Sequence, residues 1–339
     1  MIIALCSNGA EGETQSEMLQ LLNYKSVEEA NTTSREILDQ FNKNKDIIKI
    51  ANAILTKTRS TEKFIKTGTH EYDAKIEELK NYEQVNRWVK NKTNNNIIKI
   101  MDSIDPNVLM ILLNAIYFEA SWSKQFEPKE NKTMDFFNIN SVNGKPVIMM
   151  YLKGELLNYF ENDFLQAVKL NYVSNNNSIY ALIILPKENI NNFINQFNNS
   201  QYEEIKEGLK KEKIKVNLYI PKFEVEYKIN MGEILSDLGM RKAFTDKAEF
   251  KGICHKLDLK IGKVLQKNYI MINEKGTKAS SVTEAEVIFE CFKDKDHNAK
   301  DFIANKPFLF LLINENFPKG HDLLFFTKIC IIEDDDDYN

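Results

Sequence analysis

The run "VLMILLNAIYF", from Val108 to Phe118, restricts the fold more than any other stretch of the chain. It is apolar apart from Asn114, and it is too short to span a bilayer, which takes roughly 20 residues. It reads as a buried strand. Further strand-like writing follows in "VNLYIPKFEVEY", "PFLFLLI" and "DLLFFTKICII", with helical writing between in "NINNFINQF" and "MGEILSDLGM". Strands and helices mix without regular βαβ alternation, which predicts an α+β architecture with largely antiparallel sheets. A length of 339 residues and 43% hydrophobic content supply a large core, and no Gly/Pro/Ser-rich linker or internal repeat divides the chain. The simplest organisation is a single domain over 1–339.

Two helices carry local signals. Thr14 followed by Glu17, ahead of Met18, Leu21 and Leu22, predicts a helix opened by a capping box. In "NYEQVNRWVKNKT", Val85, Trp88 and Val89 share one helical face. The Asn-rich stretches read as surface turns, the lysine run from Lys206 as a solvated face, and the "EDDDDYN" tail as a solvated end. A net charge of −4 gives no support for nucleic acid or an anionic membrane as a partner. Cys6, Cys254, Cys291 and Cys330 lack C-x-x-C spacing, which argues against a metal site. "MIIALCSNGAEGE" has no basic leader, so the chain as written reads as cytoplasmic.

Catalytic motifs are missing. The sequence contains no G-x-S-x-G, H-E-x-x-H, P-loop or G-x-G-x-x-G, and His70, His255, His297 and His321 stand apart. A triad is defined in space rather than along the chain, so this weakens an enzymatic reading without removing it.

The stretch from Asn273, "NEKGTKASSVTEAEVIFECFKDKDH", is written as strand and loop at once. Thr277, Ala279, Ser281, Thr283, Ala285 and Val287 alternate and are small or β-branched, while Lys278, Glu284 and Glu286 occupy the other set. Period-two segregation is the pattern of a strand with one face in a core. Charged, loop-like residues from Lys293 to His297 follow directly.

Several stretches together resemble the serpin family. "LLNAIYFEASWSKQF" looks like the family's signature strand, followed by Thr133, Phe136 and "VIMM". "YALIILP", "VNLYIPKFEVEY", "LSDLGMRKAF", "AEFKGI", "VLQKNYIMINEKGTKAS" and "ANKPFLFLLINE" match in family order over nearly the whole chain. The resemblance implies three β-sheets with surrounding helices and an exposed reactive-centre loop over about 274–303. It also implies a suicide inhibitor, without cofactor or metal and monomeric. Its partner would be a chymotrypsin-like or trypsin-like serine protease, or a papain-like cathepsin. The protease cuts the loop and is carried off as an acyl-enzyme while the loop enters the main sheet as a strand. The alternative is a non-inhibitory serpin acting as a binding or structural protein.

On the resemblance, Glu274, Gly276, Thr277, Ala279 and Ser281 form the loop hinge, with Thr277 the first side chain to enter. The uncharged alternate set avoids burying unpaired charge. New ladder hydrogen bonds at about 0.5–1.5 kcal/mol each give on the order of 10 kcal/mol for insertion. The bait residue stays open. Family spacing from Gly276 puts the cut between Glu290 and Cys291, whereas counting back from Pro307 puts it later. Phe289 or Phe292 suits a chymotrypsin-like pocket, Lys293 or Lys295 a trypsin-like one. Asn114 and Gln266 fall at the latch under the main sheet, with Gln266 where the family usually has histidine. The family's first helix has no counterpart in the sequence, and a secretion signal could have been lost with it.

Overall fold

The computed structural model describes residues 1–93, 95, 97–174, 178–277, 296 and 298–332. The chain opens with α1 (Ile2–Ser7), α2 (Gly12–Leu21), α3 (Val27–Lys43), β1 (Ile48–Thr56), α4 (Glu62–Tyr72), β2 (Ala74–Glu78), α5 (Tyr82–Lys92) and β3 (Met110–Phe118). There follow β4 (Ala120–Ser121), β5 (Lys132–Phe136), β6 (Lys145–Glu161), β7 (Leu165–Asn171), β8 (Ile179–Pro186), α6 (Ile190–Gln196) and α7 (Asn199–Gly208). Then come β9 (Ile214–Pro221), β10 (Phe223–Asn230), α8 (Gly232–Asp237), β11 (Lys263–Asn273), β12 (Gly276–Thr277), β13 (Lys300–Ile303), β14 (Phe308–Asn314) and β15 (Leu323–Ile329). Helices and mixed sheets make the protein α+β. The contacts gather into two compact units, Met1–Phe118 with Val225–Ile270, and Glu119–Glu224 with the residues from Met271 onward.

In the first unit the strands run β2–β1–β3–β11, and β10 also pairs with β11. β1 and β3 are antiparallel, but β3 and β11 are parallel, in register from Ile111↔Lys263 to Tyr117↔Tyr269. Ile54, Leu112 and Val264 pack with Leu5 and Cys6 of α1. Ile111, Leu112 and Leu113 are all fully buried, so both faces of β3 are covered and its apolar writing is accounted for. Ser26, Thr61 and Asn81 cap α3, α4 and α5 by accepting from backbone N–H groups.

The expected capping box at Thr14 is absent. α2 begins earlier, at Gly12, with Glu11 at its N-cap position and no side-chain cap. The buried Thr14 hydroxyl instead accepts from the Glu249 N–H, and the Glu17 carboxylate accepts from the Arg241 and Lys242 N–H groups. Tertiary partners have taken up the two side chains that the local pattern assigned to the cap. α5 forms as expected and buries Val85, Trp88 and Val89.

In the second unit the strands run β13–β9–β6–β7–β8–β14–β15, with β5 on β6. Among the described residues the pairings fall into three sheets, as expected, and β6 runs through two of them. The link is β6: from Met149 to Leu157 it pairs with β9, with a register shift between Leu152 and Glu155, and from Asn158 it pairs with β7. Gly154 sits in that shift at φ +55°. Helices α6 and α7 lay Ile190, Phe193 and Ile205 on Leu182, Ile184 and Leu311. Lys206 of α7, expected in a solvated run, is instead ion-paired with Asp322 at 2.6 Å. Among the described residues, no helix is long and apolar enough to cross a membrane, and no His/Cys/Asp/Glu group could hold a metal ion.

Candidate functional site

The chain reverses at the end of β11 through a two-residue turn, Glu274–Lys275, because Asn273 pairs with Gly276 and Ile272 with Thr277. The Asn273 side-chain oxygen accepts from the N–H groups of Lys275 and Gly276, closing the turn locally. β12 returns antiparallel to β11 and pairs on its other edge with β4, Gly276 against Ser121 and Thr277 against Ala120. Gly276 has φ +150°, and a Cβ there would lie 2.0 Å from the Ala120 carbonyl oxygen, so glycine alone fits.

Glu274 is buried in the turn. Its carboxylate accepts from Asn131 at 2.6 Å and pairs with Lys222 at 2.7 Å. Burial pushes the carboxyl up, but these two hydrogen bonds, a backbone hydrogen bond and the Lys222 charge outweigh it and hold the group below its ordinary value. The turn backbone is held as well: the Glu274 and Lys275 carbonyls accept from the Phe126 and Trp122 N–H groups. The Trp122 indole N–H donates to the Asn273 carbonyl.

Thr277 is fully buried, and its hydroxyl lies 2.7 Å from the Tyr172 hydroxyl. Burial drives the Tyr172 phenol pKa well up, so it stays neutral. Tyr172 stacks on Trp122 with ring centroids 4.3 Å apart. The sequence placed Thr277 as the first side chain to enter a sheet; it is already seated beneath one. The described chain also narrows the expected loop of about 274–303, since 276–277 are β12 and 300–303 are β13. Ala279, Ser281, Phe289, Glu290, Cys291 and Phe292 lie outside the described residues.

The two residues expected at the latch stand side by side, Asn114 on β3 in register with Gln266 on β11. Both are half-buried. Asn114 donates its amide hydrogen to Asn52 of β1 at 3.0 Å, and the Gln266 amide nitrogen lies 3.5 Å from Asn268 Oδ1. Asn52 is a polar neighbour of this pair that sequence reasoning missed, although it too is a lone amide in an apolar run, "IANAIL". Asn52, Asn114 and Gln266 form one level row across three strands.

A family model described as Serpin (serine protease inhibitor) matches residues 1–331. The chain belongs to the serpin family. Among the relatives of this serpin, Serpin B10 of Papio anubis is 33% identical over 253 residues, which are 73% of this chain and 61% of that protein. Intracellular coagulation inhibitor 2 of Tachypleus tridentatus is 33% identical over 237 residues, 69% of this serpin and 56% of its relative. In both, the match spans less than two thirds of the relative. The thermophilic serpin tengpin, solved in its native state, superposes with a TM-score of 0.83 at 29% identity, covering 98% of this chain and 86% of tengpin.

Proposed function

We propose that this serpin is a suicide inhibitor of serine proteases or papain-like cysteine proteases, acting by cleavage of the loop after Thr277 and its entry beside β11. The observation that carries the reading is β12, two residues already laid antiparallel on β11. Continuing that register residue by residue puts Ser281 opposite Asn268 and Thr283 opposite Gln266, whose own partner is Asn114. In an inserted strand that keeps this alternation, Ala279, Ser281, Thr283 and Ala285 would fall on the face of the buried Thr277, and none of them carries charge. The same strand running between β3 and β11 replaces one parallel ladder with two antiparallel ladders, which are the more stable pairing per residue. In this reading the Asn52, Asn114 and Gln266 row is the latch, receiving the Thr283 hydroxyl as a fourth polar member.

The protein catalyses no turnover in this scheme; it is consumed one molecule per protease. A site of action inside the cell is supported by the name of the Tachypleus relative and by free thiols at Cys6, Cys254 and Cys330. Mixing the protein with chymotrypsin-like, trypsin-like and cathepsin-type proteases tests the reading. A denaturant-resistant adduct is expected with at least one, and the N-terminus of the released fragment identifies the bait among Phe289, Glu290, Cys291 and Phe292. Clean cleavage without adduct in every case would sink inhibition in favour of a binding role.

A further inference from the structure

One fully buried side chain gathers Asp296, β13 and the shift in β6. Asn217 of β9 is fully buried. Its amide nitrogen donates to the Asp296 carbonyl at 2.9 Å and to Asp301 Oδ1 at 3.0 Å. Its amide oxygen accepts from the N–H groups of Gly154 and Asp296, and at 3.5 Å from the Tyr151 hydroxyl. Both donors and the acceptor are thus spent on three pieces of chain: the shift in β6, Asp296, and β13. Gly154 leaves the room this needs, since a Cβ there would lie 2.8 Å from the Asp296 carboxylate.

Other ties act on this end as well: the Gln166 amide donates to the Asp301 carbonyl at 3.1 Å, the Ala304 N–H donates to the Tyr219 carbonyl, and Phe302 is fully buried. β13 is a four-residue strand at the edge of its sheet, parallel to β9, with Asp301 opposite Asn217. Short parallel pairing on one edge is a modest restraint. The ion pair of Lys215 with Asp296 is half exposed on its lysine side and contributes little. Opening β13 and Asp296 strips the Asn217 amide of both its acceptors and of the Asp296 N–H, a loss larger than that of one ordinary hydrogen bond.

We propose that Asn217 is the positioning residue that fixes the C-terminal root of the reactive segment, so that cleavage rather than thermal opening decides when the segment moves. This deepens the trapping reading above and rests on it. A segment held at both ends cannot follow β12 along β11 without first stripping β13 from β9. The residue's contribution is to the uncleaved protein; once the bond is cut, the two ends part and Asn217 keeps only the C-terminal side.

The test uses the intact full chain as parent, Asn217→Ala, Asp301→Ala and Lys215→Met. Hydrogen exchange followed by mass spectrometry reads residues 300–303, with β14 as internal reference. Asn217→Ala is expected to exchange there about tenfold faster or more, Asp301→Ala about threefold faster, and Lys215→Met like the parent. A second measurement incubates the uncleaved proteins and then counts adduct formed with the protease identified above. Freshly prepared Asn217→Ala traps as the parent does and loses that capacity in step with its faster exchange. Parental exchange at 300–303 in Asn217→Ala overturns the anchor, as does unchanged lifetime of trapping capacity. If Asn217→Ala does not fold, Asp301→Ala alone decides by the same exchange reading. If the parent forms no adduct with any protease, the trapping reading fails by itself, while the exchange result still decides whether Asn217 holds β13.

Discussion

At the scale of single residues, Glu274 ties the turn between β11 and β12 to Lys222 and Asn131. A carboxylate buried between Lys222 and Asn131 is stable only while both stay in place. Glu274→Lys sets two ammonium groups against each other where one was neutralised, and breaking a buried pair costs about 3 kcal/mol or more. Thermal and denaturant unfolding are expected to show that loss, with Glu274→Gln milder; a parental midpoint in Glu274→Lys would mean the turn is not restrained by this pair. The pH dependence follows from the sign of the shift. The folded carboxyl is held below its ordinary 4.5, so its contribution is complete above that value and disappears as pH falls through the folded one. Below pH 4.5 the unfolding midpoint of the parent should therefore fall more steeply with acid than that of Glu274→Gln.

At the scale of elements, β12 changes which substitution tests insertion. Thr277 is already buried against Tyr172, so an arginine there disturbs the uncleaved protein as well as any later step. Ser281 is the cleaner position. On the continued register it enters beside Asn268 on the buried face, and Ser281→Arg must bury a guanidinium during insertion. The expected result is unchanged cleavage, unchanged stability of the intact chain, and most turnover ending as cleaved inhibitor rather than adduct. Trapping at the parental ratio would refute the proposed face. What the sequence revealed about elements follows the same logic. β3 was legible because burial on both faces leaves a continuous apolar run. Thr14 and Glu17 misled because Glu249, Arg241 and Lys242, more than two hundred residues away, claim their side chains. β12 itself was invisible: a two-residue strand is defined by the edges of β4 and β11, not by its own composition.

For the whole molecule, the decisive property is that a parallel ladder stands where a better pairing is available. β3 and β11 pair directly over seven registered positions, and β12 lies antiparallel on the end of β11. Peptide-bond cleavage adds no contact of its own, so any stability gained on nicking must come from rearrangement of the cut chain. Inserting a strand exchanges one parallel ladder for two antiparallel ones, a net gain on the order of 10 kcal/mol if each added hydrogen bond is worth about 1 kcal/mol. For a chain of this size about 2 °C of midpoint accompanies each kcal/mol, so cleavage within the loop is expected to raise the unfolding midpoint by about 20 °C. Limited proteolysis followed by calorimetry measures this without knowledge of the physiological protease, because any cut beyond Val287 releases the strand. Ser281→Arg, nicked in the same way, should show a much smaller rise, which ties the gain to insertion rather than to relief of a strained loop. An equal midpoint before and after nicking would mean that β3 and β11 stay paired, and the alternating residues after Thr277 would then serve binding rather than trapping.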